Sequence, residues 1–262
     1  MNAKYKDEYF FDKIDTEEKA YWLGFLFADG SLSGPTRTYK GKVKPFYRIE
    51  VSLKLEDKSH LEKLRNALKM EAQVKESHTN YKCSDRCRLG WNSKHMFETL
   101  VSYGCTPKKS LTLKFPDVSI FCSKRLIKHF IRGYVDGDGC LSYSDKEHKR
   151  ANLSILGTQD MLENIQHWLP LQFELMIYDN KNENVKSLLY QGKTAFFIVN
   201  YLYTKSNVYL ERKYNKYLEY CRLYLEEYRV QLGKYGELWE ENAVVNSEIA
   251  KGFESPYSVE IE

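Results

Sequence analysis

The sequence predicts an α+β fold made of two repeats, each with the element order αββαββα. The first observation is an internal repeat: the segments Ala20–Ser33 and Phe130–Ser142 align at one constant offset, which pairs Gly24 with Gly133. The second is that helix-like and strand-like segments follow each copy in the same order. The third is the length of 262 residues, which suffices for two domains of ordinary size. An internal repeat constrains the fold more strongly than any single segment.

The first repeat opens with a helix that is apolar almost all round. Asp15 is its predicted N-cap, with Glu18 as the partner in a capping box. Gly24 and Ala28, four residues apart, predict the close approach of a second helix, and Gly30 predicts the helix end. The elements predicted next are turns at 33–35 and 40–42, a strand over 46–55, a helix from 57, a strand pair over 72–91 and a helix over 93–104.

The second repeat has the same predicted order and is followed by one further helix, rich in Tyr, over 214–228. Its predicted elements are a helix over 123–137, strands over 140–144 and 150–157, a helix over 158–169, strands over 173–178 and 185–191, and a helix over 192–203. We therefore expect a first half at residues 1–117, a second half at 118–236 and an acidic tail at 237–262.

The distribution of charge favours a polyanionic partner. The chain has a net charge of +4, but seven Glu and one Lys follow residue 236, so residues 1–236 carry +10. A basic body of this kind is typical of nucleic-acid binding, although many proteins are mildly basic. The sequence has no long apolar run, no secretory signal and six Cys, which favours a reducing compartment. We expect an intracellular protein, of bacterial or phage-infected cytoplasm or of an organelle.

An Asp precedes the last Gly of both repeated segments, at Asp29 and at Asp138. Helix C-termini carry unpaired carbonyls and partial negative charge, so two such ends with two carboxylates are expected to need a cation. Oxygen ligands completed by waters and phosphates suit Mg²⁺, which can activate water for phosphodiester hydrolysis. A single Asp-Gly after a helix is more often only a turn. Two copies at matching positions favour the functional interpretation.

The segments Trp22–Gly30 and Ile131–Gly139 resemble the two motifs of a single-chain LAGLIDADG homing endonuclease. The resemblance covers about residues 15–220, and it departs at Phe27, where the family usually has its first Asp. It implies two four-stranded antiparallel sheets that form a saddle over the major groove of DNA. The implied activity is site-specific cleavage of both DNA strands by a monomer, as in intron homing, leaving short 3′ overhangs. Mg²⁺ would be the cofactor, Mn²⁺ would substitute, and Ca²⁺ would bind without supporting cleavage.

The resemblance also implies roles for individual residues. The implied metal site consists of the Asp29 and Asp138 carboxylates with the backbone carbonyls of Ala28 and Gly137, and Gly24 and Gly133 would pack the two motif helices at the domain interface. Basic catalytic residues near the start of the helix after the fourth strand would be Lys94 and Lys193. The DNA-binding residues expected on and beside the strands are Arg37, Lys42, Lys44, Arg48, Arg86, Arg88, Lys149 and Arg150.

A second hypothesis comes from a different functional class. The same fold could serve an RNA maturase that assists intron splicing, or a DNA-binding protein that does not cut. The basic surface does not separate these hypotheses, because such a surface binds either nucleic acid. Both carboxylates are present, which favours the endonuclease.

Overall fold

A computed structural model describes residues 7–78, 85–170, 177–179 and 185–234. The strand predicted over 173–178 lies mostly outside these residues, and the acidic tail predicted at 237–262 lies wholly outside them. No helix in the described part of the chain is long and apolar enough to cross a membrane.

The observed elements follow the predicted order with small shifts of their ends, except that the first half contains two further strands, over residues 36–39 and 42–45, that were not predicted. The helices are α1 (Glu17–Asp29), α2 (Lys58–Ala67), α3 (Lys94–Ser102), α4 (Ile127–Asp138), α5 (Gln159–Trp168), α6 (Gly192–Tyr203) and α7 (Glu211–Lys234). The strands are β1 (Gly30–Ser33), β2 (Thr36–Tyr39), β3 (Lys42–Pro45), β4 (Arg48–Lys54), β5 (Lys75–Ser77), β6 (Arg86–Asn92), β7 (Gly139–Tyr143), β8 (Ala151–Gly157), β9 (Ile177–Asp179) and β10 (Lys186–Gln191). The prediction of an α+β fold is confirmed.

Each half of the chain contributes one four-stranded antiparallel sheet. The strand order is β1-β4-β6-β5 in the first sheet and β7-β8-β10-β9 in the second, so β4 and β6 are the interior strands of the first sheet and β8 and β10 those of the second. The first half also has a hairpin, β2–β3, between the first two strands of its sheet. Lys40 and Gly41 at its tip both have positive φ, as the tight turns that match the twist of a hairpin require.

One face of each sheet is covered by helices, and no described residue outside the sheet's own hairpin and loops covers the other, which is called the open face. Along β4, buried residues (Ile49, Val51 and Leu53) alternate with more exposed ones. Helix α2 contacts β4 and β6 on the buried face, and α5 and α6 contact β8 and β10 in the second half. This alternation is the pattern of a sheet with one face in the core and one toward solvent.

The predicted N-terminus of the first helix is wrong by one residue. Helix α1 begins at Glu17, and its N-cap is Thr16, whose Oγ1 accepts a hydrogen bond from the Lys19 amide at 3.3 Å. Asp15 instead accepts a bond from the Lys19 ammonium at 2.8 Å. Thr and Asp are both favoured N-caps. Thr16 is the cap here because its side chain, and not that of Asp15, is oriented toward the free amides of the first turn.

Helices α1 and α4 cross with their backbones in contact. A Cβ added at Gly24 would lie 1.9 Å from the Phe130 carbonyl oxygen, and one at Gly133 would lie 2.0 Å from that of Tyr21. Both distances are far below van der Waals contact, so this crossing requires glycine at both positions. The crossing brings the C-terminal ends of the two helices, and hence Asp29 and Asp138, to one place.

A buried arginine ties the two halves together at the other end of the helix pair. Arg132 of α4 is fully buried and donates to the Glu17 carboxylate of α1 at 2.7 Å. It also donates to the carbonyls of Leu202 and Val208, both at 3.1 Å. A guanidinium removed from water needs such partners for its donors, so these bonds also fix the chain after α6 against α4.

Candidate active site at the paired helix ends

Both motif helices end abruptly and turn directly into the first strand of a sheet. The amides of Gly30 and Gly139 still bond to helical carbonyls, but both residues have extended backbone, so strands β1 and β7 begin there. A Cβ at Gly30 would lie 2.4 Å from the Leu26 carbonyl oxygen, and one at Gly139 would lie 2.5 Å from that of Val135. Glycine at each position therefore allows Asp29 and Asp138 to occupy the last helical position.

The Asp29 and Asp138 carboxylates lie partly buried and close enough to repel each other. Burial, and after it the negative charge of Asp29, raises the pKa of Asp138 to about 6. Burial also raises the pKa of Asp29, while the ammonium groups of Lys213 and Lys109 oppose that shift. A Cβ at Gly137 would lie 3.3 Å from Asp29 Oδ2, so the end of α4 lies directly against the first carboxylate.

Lys109 stabilises the end of α1. It comes from the loop after α3, is almost fully buried, and donates to the carbonyls of Ala28 at 2.9 Å and Gly30 at 2.7 Å. These carbonyls flank Asp29, so the ammonium neutralises both the negative end of the helix and the carboxylate. Within the described residues two of its three N–H groups are thus satisfied, and one is left for a ligand.

Lys213 stabilises the end of α4 in the same way but with more contacts. It lies at the start of α7 and donates to the carbonyls of Val135 at 2.7 Å, Asp136 at 2.6 Å and Gly139 at 2.6 Å. The Gly137 carbonyl oxygen lies 3.5 Å from the same ammonium nitrogen. Burial lowers the pKa of Lys213 to about 8, with Asp136 opposing the shift. Its three N–H groups are all occupied, so Lys213 positions the helix end and supplies charge.

The donor set fits a hard divalent cation. Two mutually repelling carboxylates with a raised pKa gain most from a cation between them. In the described part of the chain no three His, Cys, Asp or Glu side chains converge as a metal cluster, so waters and phosphate oxygens would have to complete the coordination. The Ala28 carbonyl, an expected ligand, already accepts a bond from Lys109 and retains one lone pair.

Asp136, which aligns with Phe27 of the first half, has a separate structural role. It is fully buried and accepts hydrogen bonds from the Tyr21 hydroxyl at 2.6 Å, the Leu210 amide at 2.8 Å and the Tyr203 hydroxyl. Burial raises its pKa, and these three donors with Lys213 oppose the shift. The carboxylate thus holds the segment that leads into Lys213.

The two lysines predicted to be catalytic lie at the starts of helices. Lys94 is exposed at the first residue of α3 and lines a cavity of about 340 Å³ together with Arg37 and Lys44. Lys193 is the second residue of α6, next to Gly192, which lies near Arg150. Both lysines are therefore grouped with predicted DNA-binding residues. The positive side chains that act most strongly on the pKa of Asp29 are not these two lysines but Lys213, Lys109 and Arg212.

The predicted DNA-binding residues occupy three places. Arg48, Arg86 and Arg88 lie on the open face of the first sheet, where Glu50 accepts from Arg48 at 2.9 Å and lies 3.5 Å from Arg88. The β2–β3 hairpin carries Arg37, Lys42 and Lys44, and the connection between β7 and β8 carries Lys149 and Arg150.

Lys109 and Lys213 were not predicted from the sequence. The two residues lie 80 residues after Asp29 and 75 residues after Asp138, so an alignment of the repeats does not pair them. One comes from a loop and the other from an added helix. A basic residue shortly after the last helix of each repeat was the only sequence signal, and it is weak in a chain with 40 Lys and Arg.

Comparisons with known proteins identify the fold through structure alone. No family model and no curated protein matches the sequence. Among solved structures, the LAGLIDADG homing endonuclease I-LtrWI bound to target DNA is similar over 80% of this chain and 92% of its own, with a TM-score of 0.54 and 12% identity. I-GzeII, also a LAGLIDADG homing endonuclease in complex with a DNA target, matches over 92% and 99%, with a TM-score of 0.54 and 16% identity.

A third similar structure is I-SmaMI bound to uncleaved DNA in the presence of calcium ions. It covers 81% of this chain and 92% of its own, with a TM-score of 0.53 and 14% identity. At this identity the likeness concerns the fold, and it confirms the resemblance noted in the two motifs at that level. The chain has the LAGLIDADG homing endonuclease fold.

Proposed function

We propose that this protein is a site-specific DNA endonuclease that hydrolyses one phosphodiester bond in each strand of a duplex, leaving short 3′ overhangs. The observation that carries the proposal is the pair of mutually repelling carboxylates at the meeting helix ends, each supported by a buried lysine. The similar structures are homing endonucleases in complex with DNA, which supports the same activity.

The open sheet faces support DNA as the substrate. They lie on the side of each sheet away from the helices, and the first carries Arg48, Arg86 and Arg88. A ribbon of antiparallel strands fits the major groove, where alternate side chains can reach base edges. The exposed basic hairpin β2–β3 would extend this surface along the phosphate backbone.

The chemistry requires Asp29 and Asp138 to be ionised. The carboxylates would hold Mg²⁺, or Mn²⁺ in its place, and the cation would supply an activated water and stabilise charge on the leaving oxygen. Lys109 and Lys213 offset the negative helix ends and so lower the cost of ionising both acids. Among the described residues the third N–H of Lys109 has no acceptor, and it would contact a phosphate or a water. Buried Lys213 holds the second helix end in place.

The test is cleavage of a randomised duplex library in Mg²⁺, followed by assays on a plasmid that carries a selected sequence. Asp29→Asn and Asp138→Asn should each reduce double-strand cleavage more than about a hundredfold, because the charge that holds the cation is lost. Binding in a gel-shift assay should change little. Asp12→Asn is the matched control, since this carboxylate pairs with His95 on the surface.

Two outcomes would contradict the proposal. One is a variant of either acid that still cuts both strands at the wild-type rate. The other is tight binding of intron RNA with no nicking of DNA in Mg²⁺ or Mn²⁺, which would favour the maturase.

A further inference from the structure

The open face of the first sheet is strongly basic. Cross-strand pairing places Arg48 beside Asn92, Lys75 beside Arg88 and Arg86 beside Lys54. Five basic side chains therefore share this face with a single carboxylate, that of Glu50. The full set on the described strands is Ser31, Ser33, Arg48, Glu50, Ser52, Lys54, Lys75, Ser77, Arg86, Arg88, Gly90 and Asn92.

The open face of the second sheet carries no charged side chain on strands β7, β8 and β10. The pairing Cys140–Ser154–Leu189 and the pairing Ser142–Asn152–Gln191 define this face, to which Leu156 and Ser187 also belong. Lys186, the basic residue of β10, shares its alternation with the buried Leu188 and Tyr190 and so belongs to the opposite face. Leu156 is 41% exposed, an unusual position for a leucine on a polar surface.

The connections between the first two strands of each sheet increase the difference in charge between the two halves. The β2–β3 hairpin has four basic residues (Arg37, Lys40, Lys42 and Lys44), no acid, and only exposed positions on its strands. The corresponding connection of the second half, residues 144–150, has three basic residues but also two acids. There the Lys149 ammonium pairs with the Glu147 carboxylate at 2.6 Å.

The two faces suit different base pairs. Arginine forms paired hydrogen bonds with guanine, whereas asparagine and glutamine pair with adenine, and an apolar side chain contacts the methyl group of thymine. The first face offers three arginines. The second offers Asn152 and Gln191 with Leu156 and Leu189. An exposed leucine makes no favourable contact with water or phosphate, but contact with a thymine methyl group in the major groove removes its apolar surface from water.

We propose that the two halves of the DNA target differ in composition and in the way they are held. This inference rests on the proposed function. The half-site on the first sheet contains G·C pairs recognised by Arg48, Arg86 and Arg88 and is held mainly by charge. The half-site on the second sheet is rich in A·T pairs, recognised through the amide groups of Asn152 and Gln191 and the leucines, and contributes little to the salt dependence of binding.

The experiment is a binding selection from a randomised duplex library with the Asp29→Asn/Asp138→Asn variant, which should bind without cutting. One half of the selected sequence should be rich in G·C pairs and the other in A·T pairs. The same selection is then repeated with Arg88→Gln and with Leu189→Ala in that background. Arg65→Gln on helix α2 is the matched control for the first, and Val118→Ala is the control for the second.

Each variant should alter one half of the selected sequence only. Arg88→Gln should weaken binding about ten- to a hundredfold and remove a guanine preference from the G·C-containing half. Lys42→Gln, in the hairpin placed along the phosphate backbone, should lower the slope of log affinity against log salt by about one without changing base preference. Leu189→Ala should weaken binding about threefold and relax a thymine preference in the other half without changing the slope. Arg86→Gln provides a second test of the first face if Arg88→Gln does not fold.

Three results distinguish failure of this inference from failure of the proposed function. Equal G·C content in both selected halves would overturn the inference and leave the endonuclease intact. So would either variant relaxing both halves. By contrast, if no sequence is enriched and the wild-type protein neither binds nor cuts duplex DNA, the proposed function itself is wrong.

Discussion

The two motif-helix ends carry the same chemistry but are built differently. Each has a carboxylate at its last residue, a glycine after it and a buried lysine bonded to its carbonyls. At the position two residues before that carboxylate, the first end has Phe27, which packs edge-on against Phe130. The second end has Asp136, which collects three hydrogen bonds. The two ends therefore share the carboxylate, the glycine and the lysine, and they differ in what holds the preceding turn of the helix.

The largest expected effect on stability comes from removing the Asp136 carboxylate, which only the second helix end has. Asp136→Leu leaves two tyrosine hydroxyls, one amide and the Lys213 ammonium without their carboxylate, so unfolding free energy should fall by about 3–5 kcal/mol. Phe27→Leu, at the matching position, should cost only about 1–2 kcal/mol, because it removes apolar contact alone. Urea unfolding of both variants measures the two values. Equal losses would show that the Asp136 network is not what holds the second end.

The two lysines should differ in what their loss does. Lys109→Met and Lys213→Met should each slow cleavage about a hundredfold, since the helix-end charge is no longer offset. Lys213→Met should also lower unfolding free energy by about 2–3 kcal/mol, because more buried carbonyls lose their donor than in Lys109→Met. Cleavage of supercoiled plasmid carrying a selected sequence, with urea unfolding, separates the effects. Cleavage unaffected by both substitutions would exclude the lysines from the site.

The burial of Asp138, together with the negative charge of Asp29, predicts a stability that depends on pH. The pKa of Asp138 is raised to about 6 in the fold, so its folded form binds a proton more tightly than the unfolded chain does. Asp138 should therefore contribute about 1–3 kcal/mol less to the unfolding free energy of metal-free protein at about pH 7 than at about pH 4, measured as the difference between the wild type and Asp138→Asn. The comparison with the variant is needed because burial lowers the pKa of His60 and of His129, and both histidines make the protein more stable as pH rises. Cleavage in Mg²⁺ should fall below about pH 6, where the Asp138 carboxyl is protonated.

A pH dependence of stability that is the same in the wild type and in Asp138→Asn would assign it to other groups. The matched variant Asp29→Asn should shift this dependence in the same direction as Asp138→Asn, because it removes the neighbouring charge that raises the pKa of Asp138. Thermal unfolding in EDTA at pH 4.5 and pH 7.5, roughly one and a half units on either side of the raised pKa, measures both variants.

The smallest effects are expected at Lys94 and Lys193. A direct catalytic role, as the motif resemblance implies, would require Lys94→Ala or Lys193→Ala to slow cleavage about a hundredfold at saturating DNA. The location of Lys94 beside Arg37 and Lys44 favours a phosphate contact, for which cleavage at saturation should change less than about tenfold. Two measurements distinguish these roles: the cleavage rate at saturating DNA, which a catalytic residue changes, and the salt dependence of binding, which a phosphate contact changes.

Much of the fold was predictable because it depends on local pattern. The alternation of Ile49, Val51 and Leu53 with polar residues predicts a half-buried strand, and the helices predicted over 93–104 and 158–169 are observed as α3 and α5. The N-cap of α1 was misplaced by one residue because Asp15 and Thr16 are both good caps. Only the orientation of the side chains in the folded chain distinguishes them.

The positions of the two carboxylates at matching helix ends, and the glycines of the helix crossing, were predictable from the sequence alone. Asp29 and Asp138 could be found because they stand at equivalent places in a repeat, and the glycines because close backbone approach permits no Cβ. Only the tertiary structure brought Lys109 and Lys213 to these carboxylates. A buried helix end requires a positively charged donor near its carbonyls, and any segment that packs against the helix end can supply it. The two lysines therefore need not stand at matching places in the two repeats.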